Sequence, residues 1–312
     1  MEKNILGIHH ITAIAGEAQR NYDFYTKILG LRLVKKTVNF DDPETYHLYY
    51  GNQIGEPGTI LTFFPWQRVK QGINGIGMAT KIGLAVPSGS LDFWVNRFEE
   101  NNIKTGQIFE RFGENNLLFQ DPDGLNFNLI VPAKEDKRLP WLTEQIEADN
   151  ATRGFHNITL TVKAIGPTAK ILTDIFGYEL FKQEGNHYRF ITNASKTASI
   201  VDIEELPDGK PGIVAGGTNH HVAFRVTNEE ILMDFREKIA AHGLHITDKI
   251  DRNYFYSVYF REPGGILFEL ATDNPGFAND ESIDQLGTHL KLPAQYEPKR
   301  STIEKNLPKL IQ

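Results

Sequence analysis

The 312 residues carry 40% hydrophobic and 23% charged side chains, an ordinary globular balance with enough length for about two domains. A net charge of −7 offers no basic field for a nucleic-acid backbone, and no apolar run reaches the roughly 18 residues of a membrane helix. With no cysteine there is no disulfide, iron–sulfur cluster, thiolate metal site or thiol nucleophile, so any bound metal must rest on His, Asp, Glu or Tyr.

The opening MEKNILGIHH lacks an apolar signal core, so a cytoplasmic chain without a secretory leader is expected. From Gly7 the sequence alternates as a strand, GIHHITAIA, and RNYDFYTKILG then shows helical spacing and ends on Gly30. YHLYYG (Tyr46 to Gly51) and EPGTILTFFPW (Glu56 to Trp66) follow as short strands. The same succession returns three times. TKIGLAV (Thr80 to Val86), the helical SLDFWVNRFEENN and DPDGLNFNLIV (Asp121 to Val131) make a second unit. GFHNITLTV (Gly154 to Val162) and AKILTDIFG open a third; TNHHVAFRV (Thr218 to Val226), EEILMDFREKIAAHG, YFYSVYF and EPGGILFELAT (Glu262 to Thr272) form a fourth.

Spacing supports the alignment. Lys81 to Asn128 is 47 residues and His221 to Glu269 is 48, while His10 to Gly30 and Asn157 to Gly177 are both 20. The expected fold is therefore α+β, built from four repeated βαβββ units. The expected division is an N-terminal pair of units (1–133), a linker (134–152), a C-terminal pair (153–275) and a C-terminal arm (276–312) packed on the surface or partly mobile.

Histidine at the head of the first strand and a carboxylate inside the last resemble the vicinal oxygen chelate superfamily over about residues 7–275. That superfamily holds glyoxalases, fosfomycin-resistance proteins and extradiol dioxygenases, and its units curl in pairs into incomplete barrels whose concave side holds a metal. The segments GIHHITAIAG, RLVKKTVNFDDPETYHLYYG, TNHHVAFRV, Arg252 to Tyr259 and GGILFELAT resemble the hydroquinone-cleaving branch, which includes bacterial ring-cleaving dioxygenases of quinone detoxification.

On this resemblance the first unit supplies one ligand, His10, and the fourth supplies two, His221 and Glu269. The residues fit independently. Residues two apart share a strand face, so if the first and fourth strand heads lie side by side, both imidazoles enter one cleft. Glu269 sits among apolar neighbours, where an unpartnered carboxylate is costly. Two imidazoles and one carboxylate leave up to three positions open on iron(II), and manganese(II) accepts the same set. Equivalent positions carry Lys81, Asn128 and Asn157, and a lone strand-head histidine is more often structural; His156 is read that way, and His47, with no matched carboxylate, as a structural or surface group.

The resemblance further implies roles near the substrate for Thr12, Arg252 and Tyr259, and for the doubled histidines His9 and His220, which simple alternation would turn away unless a bulge intervenes. The implied reaction is iron(II)-dependent insertion of O2 into a hydroquinone-type ring beside a hydroxyl-bearing carbon. The expected partners are a small aromatic substrate and O2, with no nucleic acid or membrane, and a homodimer is the class-level expectation. Three rivals stand beside it: an extradiol catechol dioxygenase, a glyoxalase-like metal-dependent isomerase or transferase, and a non-catalytic aromatic-binding protein. The second carboxylate usual for the glyoxalase type would fall at Thr62.

Overall fold

The computed structural model describes residues 4–312. The four repeats fold as four βαβββ units. The first comprises β1 (Ile8–Ala15), α1 (Ala18–Asp23), β2 (Arg32–Val38), β3 (Tyr46–Gly51) and β4 (Ile60–Pro65). The second comprises β5 (Met78–Ala85), α2 (Leu91–Glu100), β6 (Phe109–Arg111), β7 (Glu114–Gln120) and β8 (Asn126–Val131). The third contains β9 (Phe155–Val162), α3 (Ile165–Lys170), β10 (Glu179–Glu184), β11 (His187–Ile191) and β12 (Ile200–Glu205). The fourth contains β13 (Thr218–Val226), α4 (Glu229–Ala241), β14 (Ile250–Asp251), β15 (Phe255–Arg261) and β16 (Leu267–Pro275).

Both α1 and α3 run on into a wider π-helical turn, Phe24–Ile28 and Ile171–Ile175. They stop at Gly30 (φ +66°) and Gly177 (φ +78°), where the left-handed backbone suits glycine, as the expected C-terminal signals imply.

Among the described residues the strands form two eight-stranded sheets, ordered β14-β15-β16-β13-β1-β4-β3-β2 and β10-β11-β12-β9-β5-β8-β7-β6. One sheet joins the first unit with the fourth, from opposite ends of the chain, and the other joins the consecutive second and third units. The seam of the first sheet is the antiparallel pair β1–β13, which sets the two histidine-headed strands side by side. One continuous apolar core, including Tyr25, Trp94, Phe127, Phe176 and Phe224, ties sheets and helices together.

The second sheet carries a buried ionic network in place of the expected ligand set. At the positions matching His10, His221 and Glu269 stand Asn157, Lys81 and Asn128. Buried Arg189 joins Asp202, 2.8 Å from its Nε, to Glu114, and His156 lies 3.0 Å from the same Glu114. The structural reading of His156 fits this network.

The residues after β16 pack as an arm across the first sheet. Lys35 on β2 is fully buried and reaches Asp280 at 2.6 Å and Glu281 at 2.5 Å. Tyr254 also donates to Asp280. The arm continues through α5 (Arg300–Asn306), and Tyr296 on the way donates to the carbonyl of Phe40. Among the described residues no helix is long and apolar enough to cross a membrane.

Candidate metal centre

Strand register assembles the site row by row. Tyr259 on β15 lies opposite Glu269 on β16, Glu269 opposite Ala223 on β13, and Ala223 opposite His10 on β1. Ala223 is only a methyl group between them, which leaves space for Glu269 and His10 to approach. In the adjacent row His221 faces Thr12 across β13 and β1, and Thr12 faces Thr62 across β1 and β4. The β1–β13 ladder slips between Ile8 and His10 and again between Thr12 and Ala13.

Ligand atoms of His10, His221 and Glu269 all lie within 4.8 Å of one another, and this is the group able to hold a metal among the described residues. Nε2 of His10 is 3.2 Å and Nε2 of His221 is 2.9 Å from Oε2 of Glu269. All three are buried, yet the angles leave His221 Nε2 and both Glu269 oxygens without a hydrogen bond. Burial pushes the Glu269 carboxyl up, but the neighbouring imidazoles outweigh this and hold it well below its ordinary range. Burial lowers His221. A buried carboxylate oxygen faced by two imidazole nitrogens, with no hydrogen bond made, fits a cation seated between them.

The other nitrogen of each ring is engaged. His10 Nδ1 lies 2.9 Å from His9 Nδ1, and His221 Nδ1 lies 2.8 Å from His220 Nδ1. Burial first, and then the adjacent histidine, lowers both partners, His9 well below its usual value and His220 to about 4. They are therefore neutral, with one N–H each. If His10 and His221 donate from Nδ1, their lone pairs are left at Nε2, aimed at the centre. That is the tautomer a metal needs, and the neighbouring ring offers the acceptor that would hold it.

Above the triad opens a cavity of about 380 Å³. His10, His221, Thr12, His220, Arg252 and Tyr259 all line it. Of the expected substrate-side residues, His9 is the exception. It is buried beneath, against His10 and Phe255, and touches the site through the imidazole pair. The ladder slips accommodate both arrangements, which strict alternation does not. Arg252 Nε lies 3.2 Å from the Tyr259 hydroxyl, and its guanidinium also stands over the Phe40 ring at 5.9 Å. Burial and the Glu269 charge raise the Tyr259 phenol, so it stays protonated.

Sequence reasoning missed the opposite wall. His47 and Tyr49 on β3, with Phe64 and Trp66 at the end of β4, form a run of rings whose neighbouring centroids are 4.1, 4.4 and 5.3 Å apart. Phe40 and Asp42 stand at the rim, where Asp42 accepts from Trp66 Nε1 at 2.9 Å. Alternation in YHLYYG and TFFPW does place His47 with Tyr49 and Thr62 with Phe64 on shared faces, and that was the available signal.

The family model described as "Glyoxalase/Bleomycin resistance protein/Dioxygenase superfamily" matches residues 7–129 and 154–270. The chain is 46% identical over 307 residues to the Bacillus subtilis (strain 168) protein named "Putative ring-cleaving dioxygenase MhqO", covering 98% of this chain and 97% of that one. It is 34% identical over 305 residues to the "Chlorohydroquinone/hydroquinone 1,2-dioxygenase" of Sphingobium indicum, covering 95% and 94%. A crystal structure titled as a putative dioxygenase from Bacillus subtilis superposes with a TM-score of 0.95 at 44% identity, covering 99% and 98%. Glyoxalase I from Zea mays, at 14% identity and a TM-score of 0.62 over 86% and 92%, shares the fold. By sequence and by fold, the chain belongs to the Glyoxalase/Bleomycin resistance protein/Dioxygenase superfamily.

Proposed function

We propose that this protein is a metal-dependent ring-cleaving dioxygenase that uses iron(II), held by His10, His221 and Glu269, to insert O2 into a hydroquinone-type ring. The observation that carries the reading is the convergence of two imidazole nitrogens on an unbonded, fully buried carboxylate at the base of an aromatic-walled cavity. The relatives named as ring-cleaving and hydroquinone dioxygenases support it. When bound, such a metal supplies open positions for a substrate oxygen and O2 and an electron path between them.

The chain's own residues would do the rest. Phe40, Phe64, Trp66 and Phe255 offer flat apolar surfaces that admit a ring and exclude water. Para oxygens lie too far apart to chelate one ion, so a hydroquinone would offer a bound metal a single hydroxyl. Arg252 brings a fixed positive charge to the anionic oxygen formed when that hydroxyl loses its proton. Tyr259, protonated and tied to Arg252, holds a proton for delivery to oxygen as the ring bond breaks. Neutral His220, on the cavity wall with its Nδ1 taken up by His221, would present Nε2–H as a hydrogen-bond donor. Thr62 stands where a glyoxalase-type site would carry its second carboxylate, which weighs against an isomerase.

The test is oxygen consumption after anaerobic loading with iron(II) or manganese(II). Hydroquinone should drive uptake of one O2 per ring, with both atoms recovered in an acyclic product. Uptake with catechol alone would move the assignment to catechol cleavage. No uptake from metal-replete protein with either ring would reject it.

A further inference from the structure

Four side chains on the first sheet form a hydrogen-bonded chain along the cavity wall. Register sets Thr12 opposite Thr62 across β1 and β4, and Thr62 opposite Tyr49 across β4 and β3. His47 precedes Tyr49 by two residues and shares its face. The Tyr49 hydroxyl lies 2.9 Å from His47 Nδ1, His47 Nε2 lies 2.9 Å from Thr62 Oγ1, and Thr62 Oγ1 lies 2.9 Å from Thr12 Oγ1. Thr62 is 0% and Tyr49 1% exposed, while His47 is partly buried and, with Tyr49 and Thr12, lines the cavity.

With every bond made three arrangements exist, but the one in which Thr62 accepts from both neighbours strands its own hydrogen in a fully buried place, which leaves two senses. Burial, then the nearby His10 and His221, holds His47 well below its ordinary pKa, so its ring carries one N–H. Burial raises Tyr49, which keeps its proton. In one sense Tyr49 donates to His47 Nδ1, His47 Nε2–H to Thr62, and Thr62 to Thr12, leaving the Thr12 hydrogen free for the cavity. In the other sense every bond reverses and the phenol hydrogen is left over. The phenol is the most acidic hydroxyl of the set and the imidazole lone pair its most basic acceptor. The first sense joins those two and is favoured.

We propose that Tyr49, His47 and Thr62 are positioning residues that fix the Thr12 hydroxyl as a donor into the cavity, directed at the anionic oxygen of a ring substrate. A hydroxyl free to rotate could turn a lone pair toward that oxygen and repel it; one whose oxygen already accepts from Thr62 must point its hydrogen outward. The donor is thus set before substrate arrives, with no reorganisation needed during reaction. Only the identity of the recipient rests on the function proposed above. The direction of the chain belongs to the protein itself.

Two measurements separate these parts. Imidazole ¹⁵N–¹H correlation spectra of metal-free protein report the His47 tautomer, with the signal identified by its loss in His47→Gln or, should that variant not fold, by its shift in Thr62→Val. The expected result is a neutral Nε2–H ring in the wild type. In Tyr49→Phe both senses satisfy two bonds, so a mixture of tautomers should appear. An Nδ1–H, averaged or protonated ring in the wild type, or an unchanged ring in Tyr49→Phe, overturns the proposal. With hydroquinone as probe, metal-replete Tyr49→Phe and Thr62→Val should each lose about tenfold in kcat, the equivalent of one hydrogen bond, with KM within roughly twofold. The double variant should lose no more than the worse single, since one broken link already frees Thr12. Additive losses, or a change in KM alone, would contradict a directed chain. A wild type inert toward hydroquinone would refute the functional reading and leave the tautomer result standing.

Discussion

Replacing Glu269 by Gln should remove most of the stabilisation that metal confers. Glu269 is 0% exposed, and the two imidazole nitrogens lie 3.2 and 2.9 Å from its Oε2, so any ion at the centre shares its charge directly with this carboxylate. A metal that binds only the folded state, supplied at about 100 times its Kd, stabilises by about 2.7 kcal/mol. For a chain of this size that is worth roughly 2 °C per kcal/mol, or about 5 °C in Tm. Loss of the anionic ligand weakens affinity by at least about 100-fold, because even supporting groups around a metal contribute about 10- to 100-fold. At the same metal concentration the variant then gains only about 0.4 kcal/mol, a rise of about 1 °C. Calorimetry of metal-stripped protein, with and without iron(II) under nitrogen or manganese(II) in air, measures both. Tyr259→Phe, which lines the cavity without belonging to the triad, should keep the full rise. An equal rise in wild type and Glu269→Gln would show that the metal sits elsewhere, and no rise in the wild type would remove the centre altogether.

Three further outcomes are expected. Tyr259→Phe should cut kcat by about 10²-fold or more, the scale of a lost proton donor, with a smaller effect on KM, measured by oxygen uptake with hydroquinone. Lys35→Met strands Asp280 and Glu281 without their buried cation and should cost about 3–5 kcal/mol; urea unfolding gives the loss, and limited proteolysis should cut first in the arm after residue 276. Burial pushes Glu114 up, but His156 and Arg189 more than offset it and bring it from 4.5 to about 2. A carboxyl lowered on folding stabilises above its unfolded pKa and loses that contribution as pH falls through the folded value. The contribution of roughly 3 kcal/mol is thus complete above about pH 5 and fades toward about pH 2. Glu114→Gln should flatten this part of the pH–stability curve, measured as urea midpoints between neutral and acid pH.

The triad was legible in the sequence because repetition supplies a control. His10 and His221 head alternating strands, Glu269 interrupts an apolar one, and equivalent places hold Asn157, Lys81 and Asn128. The aromatic wall was not legible. Alternation shows that His47 and Tyr49 share a face, but not that this face looks into the cavity holding the triad. His47, with no matched carboxylate, was therefore read as a structural or surface group, although it stands between Tyr49 and Phe64 and bonds to Thr62. His9 and His220 also escaped the period-two rule, because the β1–β13 ladder slips and the two rings find different places.

By itself, the sequence determined what depends on local period and on self-comparison: the four βαβββ units, the glycines that end α1 and α3, and the residue types able to hold a metal. Tertiary structure alone decided what depends on contact between distant segments. It seated the first unit against the fourth, so that β1 and β13 bring two imidazoles to one carboxylate. It also drew Asp280 and Glu281 onto Lys35, 245 residues or more earlier in the chain. A strand's periodicity records which side chains share a face. Which neighbour that face meets is settled by burial and register across the whole sheet.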